Sequence, residues 1–298
     1  MRILITGATG FIGRNVLKRL ENNHKVWCTR RKRSDVDKIG STNCQWLFID
    51  EGIDKLYQKV KEIEPQLVIH IAGLFLGEHN SENISDMIYS NVDFPAILFD
   101  AACEAGCRQF INTGTCWQNY NGEKYNPVNL YAATKEAAEN ILLYYVKAKK
   151  CKAITLKIFD SYGPNDERRK ILNIVSGMDE NLELDMSGGE QKMYLCYIED
   201  IVSAYEQAIV TLQDMEEEYA VYSVRAKEPD ALKKIIDTYL KISGKNIKIN
   251  WGKRDYRSRE IMDPTGWGNL LPNWKPQYSL EQGMFKYINS NKNNRLNK

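Results

Sequence analysis

The sequence predicts an α/β fold, in which a doubly wound parallel sheet is joined to a smaller mixed C-terminal lobe. First, Ile3–Ile5 is an apolar run too short for an amphipathic helix, so it indicates a strand buried on both faces. Second, a glycine turn and a helical pattern follow it, and such alternation continues, which favours parallel strands with right-handed connections. Third, the alternation weakens beyond Gly163-Pro164, where a second lobe would begin.

Each apolar run marks one strand of the predicted sheet. The six strands expected are Ile3–Ile5, Lys25–Thr29, Gln45–Ile49, Leu67–Ile71, Gln109–Asn112 and Ala153–Phe159. Apolar residues at helical spacing predict helices after the glycine turn, at Ile53–Ile63, at Ile84–Gly106 and from Leu130 onward. We therefore expect a sheet domain at residues 1–162, to which a helix at 199–212 returns, and a lobe made of residues 163–198 and 213–298.

The composition is that of an ordinary globular protein. The 298 residues are 43% apolar and 27% charged, and the net charge of +2 gives no bulk attraction to nucleic acid or to an anionic membrane. No apolar run is long enough to span a membrane, and the N-terminal strand is not a signal peptide, so we expect a cytoplasmic protein. The seven cysteines lack C-x-x-C spacing and histidine partners, which favours reduced thiols and no metal site.

The glycine turn after the first strand has the form of a phosphate-binding loop. Missing side chains let backbone N–H groups approach a phosphate, and the N-terminus of the following helix adds partial positive charge. The turn opens a chain of alternating strands and helices, which favours a dinucleotide pyrophosphate over an ordinary tight turn. The cofactor-binding candidates in this turn are Gly7, Thr9, Gly10, Phe11, Ile12 and Gly13.

Cations follow the second strand, where a dinucleotide fold faces the adenosine ribose. An acidic residue there would bind the 2′-hydroxyl of NAD, whereas arginine accommodates the 2′-phosphate of NADP. Here Arg30-Arg31-Lys32-Arg33 precedes the first acid, Asp35. We therefore predict that NADP(H) is preferred, with Arg30 and Arg31 nearest the strand, while NAD stays possible. The alternative is that the run is only a solvated charged face.

Other strand ends add cofactor-binding candidates, because ligands gather at the carboxyl ends of parallel strands. Asp50 follows the third strand, where the adenine edge would lie, and Ala72-Gly73 follows the fourth with side chains small enough for a cofactor to pass close by. Three further candidates are Asn91, in the long helix, Thr113, at the end of the fifth strand, and Phe159, at the end of the sixth.

Tyr131 and Lys135 are the residues best suited to acid–base chemistry. A separation of four places both side chains on one face of the helix after the fifth strand. An ammonium beside a phenol favours the phenolate, so we predict a lowered Tyr131 pKa and a general acid or base. Thr115, at the end of the fifth strand, could hold a carbonyl oxygen through its hydroxyl.

With these motifs the chain resembles the extended short-chain dehydrogenase/reductase family, in the branch of nucleotide-sugar 4-reductases, 4-epimerases and dehydratases. The motifs that carry the resemblance extend over the whole chain. They are Gly7-x-x-Gly10-x-x-Gly13, Tyr131-x-x-x-Lys135, Leu156 to Pro164, the Gly188-to-Asp200 segment, Trp274-Lys275-Pro276 and Ser279 to Gly283.

The resemblance implies a Rossmann NAD(P)-binding domain and a lobe that binds a nucleotide sugar. Tyr131 would then give or take the proton at the C4 oxygen of the sugar, and Thr115 would hold the same oxygen. Lys135 would also bind the nicotinamide ribose. Relatives pair through the helices that carry Tyr131 and Asn91, so the resemblance implies a homodimer.

Departures from the family pattern bear on the reaction. Cys116 and Trp117 stand where dehydratases have an acidic pair, which disfavours dehydration. The loop from Thr115 to Tyr131 is shorter than usual, so Thr113 is the alternative to Thr115.

The remaining substrate-binding candidates follow from the same comparison of motifs. Asp160 stands where Asn is common beside the substrate, and Met193 replaces the usual phosphate-binding arginine. The diphosphate would rely on the adjacent Lys192, or on Arg257 and Arg259, which would point the same way from an extended segment or be only surface charge. Two further candidates are Trp117 and Gln118, which would line the sugar pocket, although Trp117 could serve loop packing instead.

Three functions fit these residues. The first is an NADPH-dependent reductase that passes hydride to C4 of a nucleotide-linked 4-keto-6-deoxy sugar, with Tyr131 as proton donor. The second is a nucleotide-sugar 4-epimerase, which uses the same Tyr and Lys on a retained NAD. The third, disfavoured because the Tyr–Lys pair is present, is a non-catalytic sensor of NADP redox state.

Overall fold

A single large sheet with helices on both faces makes up most of the protein. The computed structural model describes the backbone of residues 1–296 and the side-chain surroundings of residues 1–291. The strands are β1 (Arg2–Thr6), β2 (Lys25–Arg30), β3 (Gln45–Phe48), β4 (Leu67–His70), β5 (Gln109–Thr115), β6 (Lys152–Ile158), β7 (Ser161–Tyr162), β8 (Glu183–Asp185), β9 (Lys192–Met193), β10 (Cys196–Tyr197), β11 (Tyr219–Val224), β12 (Asp230–Ala231) and β13 (Lys248–Asn250). The helices are α1 (Phe11–Leu20), α2 (Ile53–Ile63), α3 (Ile84–Ile88), α4 (Phe94–Glu104), α5 (Leu130–Lys149), α6 (Ile171–Gly177), α7 (Ile198–Asp214), α8 (Leu232–Ser243) and α9 (Leu280–Leu296).

The main sheet has the strand order β3-β2-β1-β4-β5-β6-β11, and every neighbouring pair is parallel. This confirms the predicted doubly wound α/β fold, including its six strands. The edge strand β11, which lies in the range assigned to the lobe, was not predicted. It pairs with β6 from Tyr219 opposite Ala153 to Val224 opposite Ile158, after α7 has returned the chain to the sheet.

Side chains of β1 show how the sheet is covered on both faces. Ile3 and Ile5 are fully buried in one core, which contains residues of α1 and α7. Leu4 is fully buried in the other core, with residues of α2, α4 and α5. Consecutive strand residues point to opposite faces, so an uninterrupted apolar run is what two covered faces require.

The smaller lobe contains short strand pairs of both kinds. β7 pairs with β10 and β8 with β13 in parallel, and β9 pairs with β12 in antiparallel fashion. Helices α8 and α9 pack against each other, and buried Ile235 and Met284 belong to the core that also contains Ile3. The predicted mixed lobe is therefore present. Within the described residues, no helix has both the length and the apolar character needed to cross a membrane.

The helix predicted at Ile84–Gly106 is interrupted by a wider turn. The residues Tyr89–Asp93, between α3 and α4, form a π-helical turn. Such turns are rare and are frequently found at functional sites. This turn carries the buried Asn91, whose contacts lie next to the active site.

Candidate active site

Two adjoining clefts lie at the carboxyl ends of the parallel strands. The first cleft has a volume of about 380 Å³ and extends from the glycine turn to Tyr131 and Lys135. The second cleft has a volume of about 460 Å³ and is lined mainly by the lobe. Both are lined by Phe75, Cys116, Trp117, Phe159, Asp160, Ser161 and Lys170. A ligand in one cleft can therefore touch a ligand in the other.

The glycine turn has the close backbone packing that a dinucleotide site requires. Gly7 has φ = +73°, and a Cβ on Gly13 would stand 2.1 Å from the Gly7 carbonyl oxygen. Helix α1 begins at Phe11 with no side-chain cap at Gly10, so the polar N-terminus of the helix is left to face the first cleft. These features fit a pyrophosphate held by backbone N–H groups.

The predicted cofactor-binding residues are brought together with two exceptions. All of them line the first cleft except Asp50 and Asn91. Asp50 instead accepts a hydrogen bond from the Lys32 backbone N–H at 2.9 Å. Asn91 accepts from the Leu74 N–H at 2.7 Å and donates to Thr134 Oγ1 at 2.9 Å, so it fixes the segment that follows β4.

Arg30 and Arg31 line the first cleft at the end of β2, where the sequence predicts the adenosine ribose of a cofactor. The Arg30 guanidinium packs against Trp46 and Phe48, with its carbon 5.6 and 5.1 Å from the two ring centroids. Arg31 donates to Ser90 Oγ at 3.0 Å. Ser34 lines the same end of the cleft. Among the described residues that line the first cleft, the one carboxylate is Asp160, which lies where the two clefts meet. The charged side chains at this end of the first cleft are therefore cationic.

Thr115, Tyr131 and Lys135 all line the first cleft. Helix α5 starts at Leu130 because the Asn129 side chain accepts a hydrogen bond from the Ala132 N–H at 3.0 Å, which caps the helix just ahead of Tyr131. The Tyr131 ring packs edge-on against Phe75, with the centroids 5.0 Å apart. Lys135 is only 2% exposed, and its Nζ lies 3.8 Å from the place of a Cβ on Gly73, beside the proposed path of the cofactor.

The protein's own groups do not lower the Tyr131 pKa, which differs from the sequence-based prediction. Burial raises the pKa of Tyr131 to about 12, with Arg168 opposing the rise. Burial also lowers the pKa of Lys135 to about 8, with the Glu139 carboxylate opposing the fall. The sequence places the two residues on one face of a helix, but it does not reveal that burial disfavours both charged forms.

The two candidate threonines have different partners. Thr113 shares a 2.6 Å hydrogen bond with the buried Tyr205 hydroxyl. Thr115 Oγ1 accepts from the Trp117 N–H at 3.3 Å, in a cap that leaves its hydroxyl hydrogen available. The hydrogen-bonding pattern therefore favours Thr115 as the residue that donates to a substrate oxygen.

Predicted substrate-binding residues divide between the second cleft and the surrounding structure. Trp117, Asp160, Lys192 and Arg257 line the second cleft. Lys192 is paired with Asp263 at 2.7 Å. The two predicted residues outside both clefts are Gln118, which is buried beneath Thr115, and Arg259, which donates to Asn126 and stacks on Tyr120. Arg257 and Arg259 lie in a turn closed by a hydrogen bond from the Glu260 N–H to the Arg257 carbonyl, not in the extended segment predicted, and their guanidinium groups lie over Trp117 and Tyr120 of one loop. Their binding of a diphosphate stays a prediction.

Arg257 has contacts that hold it at the wall of the second cleft. Its Nε and one terminal nitrogen donate to the two carboxylate oxygens of Glu260, each at 2.8 Å. Its guanidinium carbon lies 5.2 Å from the Trp117 ring centroid. A forked arginine of this kind is oriented without being neutralised on all sides, which suits recognition of a phosphate oxygen.

Sequence reasoning missed three residues that line the clefts. Lys170 lines both clefts, and its Nζ lies 3.3 Å from Asp160 Oδ1. Arg168 lies over the Phe11 ring at 4.5 Å and forms a forked pair with Asp166. Phe75 follows β4 and packs on Tyr131. The cations Arg168 to Lys170, which begin four residues after Pro164, were the signal available in the sequence.

The fold and the clefts define a class of enzyme. The model of the NAD dependent epimerase/dehydratase family matches residues 3–224, and the chain belongs to this family. The predicted resemblance to the extended short-chain dehydrogenases/reductases is thereby confirmed, and so is the prediction of an NAD(P)-dependent enzyme.

Individual relatives are similar along nearly the whole chain. CDP-abequose synthase from Yersinia pseudotuberculosis is 29% identical over 269 residues, which are 89% of this chain and 92% of the relative. CDP-abequose synthase from Salmonella muenchen is 26% identical and covers 96% of this chain and 97% of its own. Among solved structures, UDP-glucose 4-epimerase from Thermotoga maritima has a TM-score of 0.82 at 19% identity, with 99% and 100% of the two chains covered. UDP-glucuronic acid 4-epimerase from Bacillus cereus has a TM-score of 0.79 at 21% identity, with 98% and 99% covered.

Proposed function

We propose that the protein reduces the C4 keto group of a nucleotide-linked 4-keto-6-deoxy sugar with NADPH. The observation that carries this proposal is the ribose end of the first cleft, where Arg30 and Arg31 stand with Ser34 and no carboxylate is among the described lining residues there. Two guanidinium groups suit the 2′-phosphate of NADPH. NADPH is the usual reductant for biosynthetic reductions, and a reductase must release it oxidised in each turnover.

The active-site residues have complementary tasks in this reduction. Bound NADPH supplies the hydride that adds to C4 of the sugar. Tyr131 donates its phenolic proton to the C4 oxygen, so the carbonyl becomes a secondary alcohol, and the phenol regains a proton from solvent. Thr115 donates a hydrogen bond to the same oxygen, and Lys135 orients the cofactor beside it. We infer that the sheet domain holds the cofactor and the lobe holds the nucleotide sugar.

Tyr131 has the protonation state of a proton donor. Because burial raises its pKa to about 12, Tyr131 carries a proton at neutral pH. A proton donor is what the reduction of a ketone requires. Oxidation of an alcohol, the first half of an epimerisation, requires the phenolate instead.

Residues at the junction also bear on the substrate. Arg257, Lys170 and Lys192 line the second cleft and could face a diphosphate. Burial raises the pKa of the Cys116 thiol, so this residue does not replace the acid–base pair of a dehydratase. The two CDP-abequose synthases make a CDP-linked sugar the first substrate to test.

A nucleotide-sugar 4-epimerase is the second candidate function. It is favoured by the structural likeness to the UDP-glucose and UDP-glucuronic acid 4-epimerases, the latter solved with NAD. Such an enzyme would use the same Tyr131 and Lys135. It differs in keeping its NAD bound, so that it needs no added nucleotide.

The deciding experiment measures NADPH oxidation with a panel of CDP-, dTDP-, GDP- and UDP-linked 4-keto-6-deoxy sugars. The proposal expects consumption of one NADPH per sugar reduced, with NADH a poorer substitute. Extracts of the denatured protein are analysed for nucleotide in parallel. If the purified protein contains bound NAD and isomerises the sugar without added nucleotide, the reductase proposal is wrong and the epimerase is the better assignment. Stoichiometric NADPH binding without turnover on any sugar would favour a sensor.

We also propose that the protein is a cytoplasmic homodimer. All seven cysteines are free thiols, as expected in a reducing compartment. Four large apolar residues are exposed to solvent: Ile84 and Ile88 on α3, Tyr89 at the start of the π-helical turn that carries Asn91, and Tyr144 on α5. These are the two helical segments through which the resemblance implies pairing. An exposed apolar surface on both of them is what a second copy of the chain would cover.

A further inference from the structure

Glu139 is a buried carboxylate that the proposed reduction does not use directly. It is 8% exposed and lies on α5, four residues beyond Lys135 and eight beyond Tyr131. This spacing puts the three side chains on one face of the helix. A buried carboxylate is costly unless its oxygens are paired, so its partners indicate what it does.

The partners of Glu139 lead to Thr115. Gln118 Nε2 donates to Glu139 Oε2 at 2.6 Å, and the Tyr219 hydroxyl donates to Oε1 at 2.7 Å. Gln118 Oε1 in turn accepts the backbone N–H of Thr115 at 2.8 Å. The buried Gln118 therefore fixes Thr115, the residue that would hold the C4 oxygen, relative to the Glu139 carboxylate.

The same carboxylate acts on Lys135 through charge. Lys135 is buried, which disfavours its ammonium form, and Glu139 is the group that opposes this effect. The other titratable groups near the two residues are Tyr131 and His70 around Lys135, and Glu136, Lys157 and Tyr219 around Glu139. Burial lowers the pKa of His70, so this imidazole is neutral and supplies no competing charge. The Lys157 ammonium lies 3.9 Å from Glu139 and moderates the charge of the carboxylate without neutralising it through a close contact.

We propose that Glu139 is a positioning residue that links the two halves of the active site, Thr115 and Lys135. The Glu139 carboxylate orients Thr115 through Gln118 and keeps Lys135 protonated at working pH. The proposal rests on the proposed reduction for its kinetic readout, but cofactor affinity provides a readout that does not depend on turnover.

The test compares three variants of the full-length protein. Glu139→Gln removes the charge and keeps the shape and one acceptor oxygen. Glu136→Gln is the matched control, because Glu136 accepts from the same Gln118 nitrogen at 2.6 Å but lies one residue from Lys135, off its helical face. Glu139→Asp keeps the charge and shortens the side chain, so it can rescue the charge effect alone. Thermal unfolding of each variant establishes that it folds.

Two pH profiles are measured for every variant, kcat/KM for sugar reduction and NADPH affinity by fluorescence. Loss of an opposite charge lowers the pKa of a buried lysine by about 1 unit, so the alkaline limb of both E139Q profiles moves about 1 pH unit lower. Relative to wild type, kcat/KM of E139Q falls about sixfold more at about pH 8.5 than at about pH 6.5. E136Q and E139D keep the wild-type limb, and E139D loses kcat at every pH because its shorter side chain no longer supports Gln118.

Each outcome decides the proposal. The proposal is contradicted if the alkaline limbs of the E139Q and wild-type profiles lie at the same pH. It is also contradicted if E139Q and E136Q move the limb by the same amount, because Glu139 would then have no special link to Lys135. If E139Q does not fold, E139D carries the test, and a limb moved to lower pH in that variant contradicts the proposal. If the wild type reduces no sugar, the proposed function is wrong, and the affinity profile still decides the role of Glu139.

Discussion

Gly13→Ala is the sharpest perturbation of the cofactor site that the structure offers. Gly13 lies in the first turn of α1, where the helix crosses the loop that follows β1. An added Cβ would stand 2.1 Å from the Gly7 carbonyl oxygen and 2.7 Å from its carbonyl carbon. Ordinary contact begins near 3.4 Å, so the helix and the loop must separate by more than 1 Å or the loop must change conformation.

The clash involves backbone atoms, which cannot relieve it by a change of rotamer. Overpacking of this kind costs about 1–3 kcal/mol of unfolding free energy, and we expect a value of about 3 because the obstacle is the main chain. For a protein of this size the Tm should fall by roughly 5 °C. The same movement displaces the N–H groups that would hold the pyrophosphate, so NADPH affinity should fall at least about tenfold, or about 1.4 kcal/mol.

The assay is thermal unfolding together with NADPH titration by fluorescence. Gly177→Ala is the matched control: it makes the same chemical change near the end of α6, where an added Cβ meets nothing within 4 Å, and Gly177 lines neither cleft. It should leave affinity unchanged and Tm the same or slightly higher. A G13A protein with wild-type Tm and wild-type affinity would refute the reasoning about this close approach.

Three other predictions follow from the site and the surface. Tyr131→Phe removes only the phenolic proton, so kcat should fall by about 10²–10⁴-fold while the Kd for NADPH stays within about twofold; equal activity would remove Tyr131 from the mechanism. Combined Arg30→Ala and Arg31→Ala should weaken NADPH at least about tenfold more than NADH, and equal effects on both nucleotides would leave the arginines as surface charge. Combined Ile88→Glu and Tyr144→Glu changes side chains that are 43% and 62% exposed, so it should give a folded monomer in light scattering. An unchanged mass would place any dimer interface elsewhere.

The fold was predictable because most of its strands are buried on both faces. A run such as Ile3–Ile5 has to be apolar throughout when helices cover each side, and this pattern is visible without tertiary information. The edge strand β11 escaped prediction for the converse reason. It pairs on one side only, and in Tyr219–Val224 exposed and half-buried residues precede the two buried ones, which gives no continuous apolar run.

Much of the site was predictable from positions at strand ends, since those positions meet wherever parallel strands align. The misplaced residues depend on local hydrogen bonds instead. Asp50 accepts a hydrogen bond from the Lys32 backbone N–H, and the buried Gln118 accepts one from the Thr115 N–H. Both residues stand at positions that face ligands in the predicted arrangement. Lys170 was missed because its place at the junction depends on how the lobe folds back over the sheet.

The raised pKa of Tyr131 changes how the Tyr–Lys pair is understood. Spacing alone suggests an ammonium that stabilises a phenolate, yet burial raises the Tyr131 pKa to about 12 and lowers the Lys135 pKa to about 8. At neutral pH both groups therefore carry their protons: the phenol is a donor and the lysine is a cation. NADPH has no positive charge on its nicotinamide to draw the proton from the phenol, whereas oxidised NAD does. The same two residues would thus act as a proton donor with a reduced nucleotide and favour a base with an oxidised one, so the redox state of the bound nucleotide sets the direction of proton transfer.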